Sequence, residues 1–378
     1  MTLNHYLPHN NCRFFALGRN AMYAALIAFG LNKGSEVLTP AFNCDSAIEP
    51  FIFYGLEPVF YRCNAHTFEA DIHDMRRRLT SHTGLIHVIN HFGFPQPWEE
   101  ILKLRQESGI PVMEDNAYSL FSHYHGKPFG SFGDVSVFSL RKNLPIVNGG
   151  ALCLNTTGLS VAPQGSHKKL LYAGDIRRLA VFVAGELGIS TILRRVTSYI
   201  YGHSAIPPLF SEPGSGYPHV VKRDTLSDEF THAPLRGMSL LALAQLQFYS
   251  QHRLSRVIQV KRRFYYNIVA AIQGLDGITT LWPELPDTIV PFCVNLLIDH
   301  HRDEFLREMA RKYRAFAWPT LPMSVIKRLD EFPEVEILGR KLLQIPLETE
   351  QITDKRYSTH IKQLTDSLHS LHGKYFNQ

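Results

Sequence analysis

The 378-residue chain predicts an α/β protein: a three-layer α/β/α large domain on a mostly parallel sheet, then a smaller C-terminal α+β domain. Three observations carry this. Between residues 36 and 140, short apolar runs alternate with helical patterns, as parallel strands with crossover helices require. Residues 238–271 form one long helical pattern, amphipathic at first and rich in arginine later, of the kind that links a large domain to a small one. Finally, 378 residues are enough for two cores. The predicted division is 1–235 for the large domain, with an irregular helical insertion over 165–230, and 236–378 for the linking helix and small domain.

The elements follow in order. A helix over 19–30 is entered from Gly18 and closed by Gly30. Strands are predicted at 36–39, 57–62, 84–90, 110–115 and 135–140, and helices at 44–54, 71–79 and 98–108. The 165–230 segment holds a basic amphipathic stretch (Arg177, Arg178, Arg194, Arg195) and a Pro/Gly-rich loop over 206–219. It is expected to be a solvated surface insertion, with a lid or docking surface as the alternative. Beyond the long helix come a strand at 289–298, a helix at 302–312, a strand near Ala315 and a last helix at 353–371.

Composition excludes several classes. With 45% apolar and 19% charged residues the chain is ordinary for a globular protein, and the low charge suits buried surface in an oligomer. The net charge of +5 is spread out, so nucleic acid is not an expected partner. Five scattered cysteines without a Cys-x-x-Cys pair predict reduced thiols in the cytoplasm and no zinc ribbon. No histidine spacing marks a metal site, and no basic, apolar leader or membrane-length apolar run is visible.

The chemistry is concentrated in two polar residues at predicted strand ends. Asp115 ends one run, and Lys142 follows another just before the pair Gly149–Gly150. In open α/β sheets that edge binds ligands. An amine and a carboxylate facing one crevice suit pyridoxal 5′-phosphate (PLP): the amine bonds the aldehyde, and the acid pairs with the pyridinium nitrogen. A carboxylate about 4 Å from that nitrogen contributes about 4 kcal/mol at an effective dielectric of about 20. Gly18, Arg19 and Asn20 open a helix whose N-terminus can cradle a phosphate, and Ser139 lies near enough to join it. Ala117 is small enough for a flat ring. Taken singly, Asp115 reads as a helix cap, Lys142 as a surface lysine and His91 as a buried, satisfied side chain.

These residues stand in an ordered set: Gly18 to Leu26, Pro40 to Cys44, His91 to Gly93, Glu114 to Ala117, Gly130 to Asp134, and Phe138 to Lys142 with Gly149–Gly150 beyond. The set resembles the DegT/DnrJ/StrS family of PLP-dependent nucleotide-sugar aminotransferases, which have the aspartate aminotransferase fold (fold type I). It covers about residues 15–155 and returns more loosely at Pro234 to Ser239 and Phe332 to Leu347. The resemblance implies that Lys142 is the Schiff-base lysine and general acid/base, and that Asp115 is the pyridine partner. It places Ala117 against the ring, Tyr118 near the phenolic oxygen where relatives carry glutamine, and Cys44 where relatives stack an aromatic residue. Arg19, Asn20 and Ser139 would hold the phosphate, and His91 and Arg236 are substrate candidates. A homodimer and a glutamate donor are further implications. Against an aminotransferase acting on a keto sugar stand two alternatives: another fold type I enzyme with a non-sugar carbonyl acceptor, and a non-catalytic binding or regulatory member.

Overall fold

The computed structural model describes residues 2–9, 11–161, 169–172, 175–176, 179–180, 228–249, 251–318, 321–347 and 354–376. Strand β1 (Cys12–Phe15) leads into helix α1 (Gly18–Phe29). Gly30 closes α1 in the left-handed region, φ 64°, its N–H on the Leu26 and Ile27 carbonyls. Then follow β2 (Glu36–Pro40), α2 (Asp45–Tyr54), β3 (Glu57–Tyr61), α3 (Ile72–Arg78), β4 (Thr83–Ile89), α4 (Trp98–Ser108) and β5 (Val112–Asn116). Asp71 caps α3 by accepting the Asp74 N–H at 2.9 Å. A small hairpin, β6 (His123–Tyr124) and β7 (Lys127–Pro128), precedes β8 (Val135–Phe138), the single turn α5 (Leu140–Asn143) and β9 (Gly150–Leu154).

The seven-stranded sheet has the order β1-β9-β8-β5-β4-β2-β3. From β3 to β8 all pairings are parallel, and β9 and β1 are antiparallel additions at one edge. Strand β5 is buried along its whole length, as a central parallel strand between helical layers must be. The predicted α/β architecture is therefore the observed one.

After the large sheet, α6 (Leu240–Gln247) and α7 (Gln251–Ile272) lead to the small sheet β10 (Ile278–Thr280), β11 (Cys293–Ile298) and β12 (Leu342–Pro346), paired β10-β11-β12 antiparallel. Helices α8 (Arg302–Tyr313), α9 (Pro333–Lys341) and α10 (Asp354–Phe376) complete this part.

Several expectations need correction. The long helix over 238–271 is two helices, Leu240–Gln247 and Gln251–Ile272. Ala242 and Leu246 of α6 pack with Phe138 and Leu140, and Leu254 at the start of α7 joins the same cluster; further along α7, Phe264, Tyr265 and Ile268 pack with the small sheet. The strand expected at 135–140 ends at Phe138, where Ser139 turns the chain into α5, so Lys142 rides on a helical turn and not on a strand mouth. The strand near Ala315 is a lone bridge between Phe316 and Gln344, while β12 went unforeseen. Cys12 and Cys153, opposed across β1 and β9, form a disulfide, so the expectation of five reduced thiols fails; Cys44, Cys63 and Cys293 are free. The basic stretch at Arg177, Arg178, Arg194 and Arg195 and the loop over 206–219 lie outside the described residues.

Candidate active site

The motif from Gly130 to Asp134 builds the floor of the site. Glu114, fully buried on β5, accepts N–H bonds from Gly130 (2.6 Å), Phe132 (2.9 Å), Gly133 (3.2 Å) and the Asn90 amide (2.9 Å). Burial holds its pKa above the usual carboxylate range, and the N–H bonds from Gly130, Phe132 and Gly133 offset only part of that rise. Asp134 accepts the Val112 N–H at 2.8 Å and pairs with Arg105. Burial raises its pKa, but the bonds from Arg105, Thr156 and Val112 outweigh that and hold it below the usual carboxylate range. Both acids serve the strand that carries Asp115.

Asp115 lies at the carboxyl end of β5, beside Val137 of β8. Its Oδ1 accepts the Ala117 N–H at 2.8 Å, which bends the chain into the turn after the strand. Its Oδ2 is 3.5 Å from His87 Nε2 on β4.

Lys142 reaches the same region from α5, held in place by Asn143, whose amide donates to the Ala117 and Ser139 carbonyls at 3.0 and 3.1 Å. The Lys142 Nζ stands 3.9 Å from the centroid of the Tyr118 ring. Loss of water around the amine lowers its pKa; Cys44 and Asp115 pull the other way, and Arg141 adds to the lowering. Cys44, the N-cap of α2, is thus electrostatically close to the amine, and its Sγ is 3.1 Å from Ser46 Oγ. Tyr118 is buried, which drives its own pKa well up. Its ring meets Phe92 (5.5 Å), Phe292 (4.6 Å) and Trp318 (5.5 Å), so residues from beyond the large sheet close the wall.

The start of α1 abuts Ser139. A Cβ on Gly18 would sit 3.4 Å from Ser139 Cβ, and a Cβ on Gly150 would lie 2.3 Å from the Leu17 carbonyl oxygen. Glycine at 150 therefore lets β9 press against the helix tip. The Asn20 N–H is already taken by the Leu17 carbonyl at 3.1 Å, so the tip presents the backbone of Gly18 and Arg19. The Asn20 amide instead ties down the Ala233 and Pro234 carbonyls (3.1 and 2.9 Å), and the Arg19 guanidinium pairs with Glu49 at 2.8 Å.

His91 is buried among Phe42, Phe68 and Trp318, with Nε2 on the Phe42 carbonyl at 3.0 Å, and burial lowers its pKa to about 4. Arg236 stacks over Tyr172 at 5.0 Å, and its carbonyl accepts the Ala16 N–H beside the helix tip. The fold thus brings together Lys142, Asp115, Ala117, Tyr118, Ser139 and Cys44 with the start of α1. Sequence reasoning missed His87, Thr39, Phe292 and Trp318. The signal for His87 was a polar residue inside the apolar run of β4, but only strand register shows that it faces Asp115.

An amine with a depressed pKa, a carboxylate across from it and a helix tip beside a serine hydroxyl form a donor set that fits PLP.

Comparison with known proteins agrees. Residues 1–161 match the model of the DegT/DnrJ/EryC1/StrS aminotransferase family. The GDP-perosamine synthase of Escherichia coli is 31% identical over 132 residues, 35% of this chain and 36% of that protein. The UDP-N-acetyl-3-dehydro-alpha-D-glucosamine 3-aminotransferase of Acidithiobacillus ferrooxidans is 30% identical over 139 residues, 36% of this chain and 38% of its own. The chain thus spans little more than a third of the length of these curated relatives. The fold match is far wider: the aminotransferase TlmJ from Streptoalloteichus hindustanus superposes with a TM-score of 0.64 over 98% of this chain and 89% of that one, at 18% identity. The similarity to the DegT/DnrJ/EryC1/StrS aminotransferase family thus lies in residues 1–161.

Proposed function

We propose that this protein is a PLP-dependent aminotransferase that moves an amino group from an amino acid, glutamate in the first instance, to a keto group of a nucleotide-linked sugar. Such a reaction belongs to surface-polysaccharide or amino-sugar biosynthesis. The observation that carries the proposal is the Lys142 amine, its pKa lowered by burial, held beside Asp115 and Tyr118. The two relatives support the substrate class, since both are named for nucleotide-linked sugars or their products.

When bound, PLP supplies an electron-withdrawing ring that takes up the electron pair released at the substrate Cα. Lys142 would hold the cofactor and then carry the proton between Cα and the cofactor's C4′ atom, a task suited to an amine with a depressed pKa. Asp115 would face the ring nitrogen and keep it protonated. Ala117 and Cys44 would leave room at the ring faces, with Tyr118 at its edge. The backbone of Gly18 and Arg19, with Ser139, would hold the phosphate, while Asn20 braces the helix start. His91 and Arg236 remain the substrate-side candidates. A homodimer is part of the proposal: Leu240 and Phe248, 46% and 72% exposed, offer apolar surface for a second copy. So is a cytoplasmic location, which the three free thiols fit and the Cys12–Cys153 disulfide speaks against; among the described residues no helix is long and apolar enough to cross a membrane.

A second reading has one observation in its favour. Phe92, Phe292 and Trp318 pack around the Tyr118 ring that faces the amine, an aromatic wall that also suits a small non-sugar carbonyl acceptor.

The test is uptake of PLP by the purified protein. The wild type turns yellow, and Lys142→Ala does not. Glutamate bleaches the colour, and a nucleotide-linked keto sugar restores it. Restoration only by free ketones or aldehydes selects the second reading, and a colourless wild type refutes the assignment.

A further inference from the structure

His87 is fully buried on β4 and belongs to none of the roles assigned above. A chain of hydrogen bonds fixes its ring from behind. The Cys44 backbone N–H donates to Asn43 Oδ1 at 2.8 Å, which settles which end of the Asn43 amide is oxygen. The Asn43 Nδ2 then donates to Thr39 Oγ1 at 3.2 Å. Thr39 Oγ1 lies 2.9 Å from His87 Nδ1. If Nδ1 carried the proton, the threonine hydroxyl would face two donors, and the bare lone pair of Nε2 would face a carboxylate. With the hydroxyl donating to Nδ1, the imidazole proton sits on Nε2 and points at Asp115 Oδ2, 3.5 Å away. Among the described residues His87 Nε2 has no hydrogen-bond partner, which leaves it aimed at Asp115 Oδ2 alone. Phe51 packs edge-on against the ring at 5.1 Å and blocks rotation.

We infer that His87 is a positioning residue for Asp115. The relay from Asn43 through Thr39 presets the Nε2–H tautomer, and that N–H holds one carboxylate oxygen so that the acid meets the ring nitrogen of PLP as an anion in one orientation. Contacts of this kind are often long before the ligand is in place and tighten when it arrives. The other ionisable groups around the pair are His91, which feels both His87 and Asp115, and Lys142 and Cys44 on the cofactor side. Tyr61 donates only to the His87 carbonyl, at 3.1 Å. The inference rests on the assignment of Asp115 as the pyridine partner.

Two measurements test it. Imidazole nitrogen NMR of the protein without PLP reads the tautomer directly; Nε2–H is expected, and Nδ1–H would overturn the relay whatever the cofactor does. PLP affinity is then compared for wild type, His87→Phe, Thr39→Val and His87→Gln, the last of which restores an N–H near Nε2. His87→Phe is expected to weaken PLP binding roughly 10- to 100-fold, the range of a hydrogen bond to a charged group, with Thr39→Val between it and the wild type. Both should shift the pH at which the bound cofactor changes colour, and His87→Gln should recover part of each loss. Thr39→Val is close to isosteric, so it still reports if His87→Phe fails to fold. Variants that bind PLP and titrate like the wild type sink the relay alone; a wild type that takes up no PLP sinks the relay together with the proposed function.

Discussion

Replacing Glu114 with glutamine changes one oxygen to an NH2 group and leaves the shape alone. In the wild type each carboxylate oxygen serves two donors: Gly130 N–H and the Asn90 amide on Oε1, Phe132 and Gly133 N–H on Oε2. A glutamine amide can satisfy only one of these pairs, and its NH2 group then faces the other. Asn90 cannot flip to help, since its Nδ2 also donates to Asn116 Oδ1 and its Oδ1 accepts from Trp98. Two bonds to a charged acceptor are lost at roughly 1.5–3 kcal/mol each, so Glu114→Gln should destabilise the protein by about 3–6 kcal/mol. At about 2 °C per kcal/mol that is a drop in Tm of roughly 6 °C or more, read by calorimetry. PLP uptake should fall too, because Asp115 is the next residue on the same strand. A variant that melts within about 1 °C of the wild type would refute the view that this loop is held by the buried carboxylate.

Two further outcomes follow from the same structure. Gly150→Ala drives a Cβ to 2.3 Å from the Leu17 carbonyl oxygen, so it should cost about 1–3 kcal/mol and weaken PLP binding by moving the tip of α1; unchanged melting and unchanged PLP affinity would show that β9 can shift without effect. His91 has a folded pKa of about 4 against an ordinary value of 6.5, so its contribution is present above pH 6.5 and is lost as pH falls toward 4. The loss amounts to about 3 kcal/mol, and His91→Gln should remove it from urea-unfolding curves measured across that window; an equally steep acid limb in the variant would argue against a buried neutral His91.

Much of the fold was legible in the chain because local chemistry and tertiary structure agree there. The apolar runs of β2 to β5 and β8 and the glycines ending α1, α2 and α4 mark their own boundaries, since a left-handed φ at Gly30, Gly55 or Gly109 is a local requirement. The antiparallel strands β1 and β9 were not legible. β1 and β9 are short, and their pairing joins residues more than a hundred positions apart, which also hid the Cys12–Cys153 disulfide. The break between α6 and α7 was invisible too, since the helical pattern runs through it without a proline or glycine.

By itself, the sequence offered the groups for a candidate site, because an amine, an acid and a helix-opening glycine stand in one ordered set although each alone has a plainer reading. Tertiary structure alone decided how those groups are placed and what surrounds them. Side-chain burial depresses the Lys142 pKa, strand register sets His87 behind Asp115, and long-range packing brings Phe292 and Trp318 onto Tyr118. Desolvation, register and distant contact are properties of the folded neighbourhood, and no single stretch of chain encodes them.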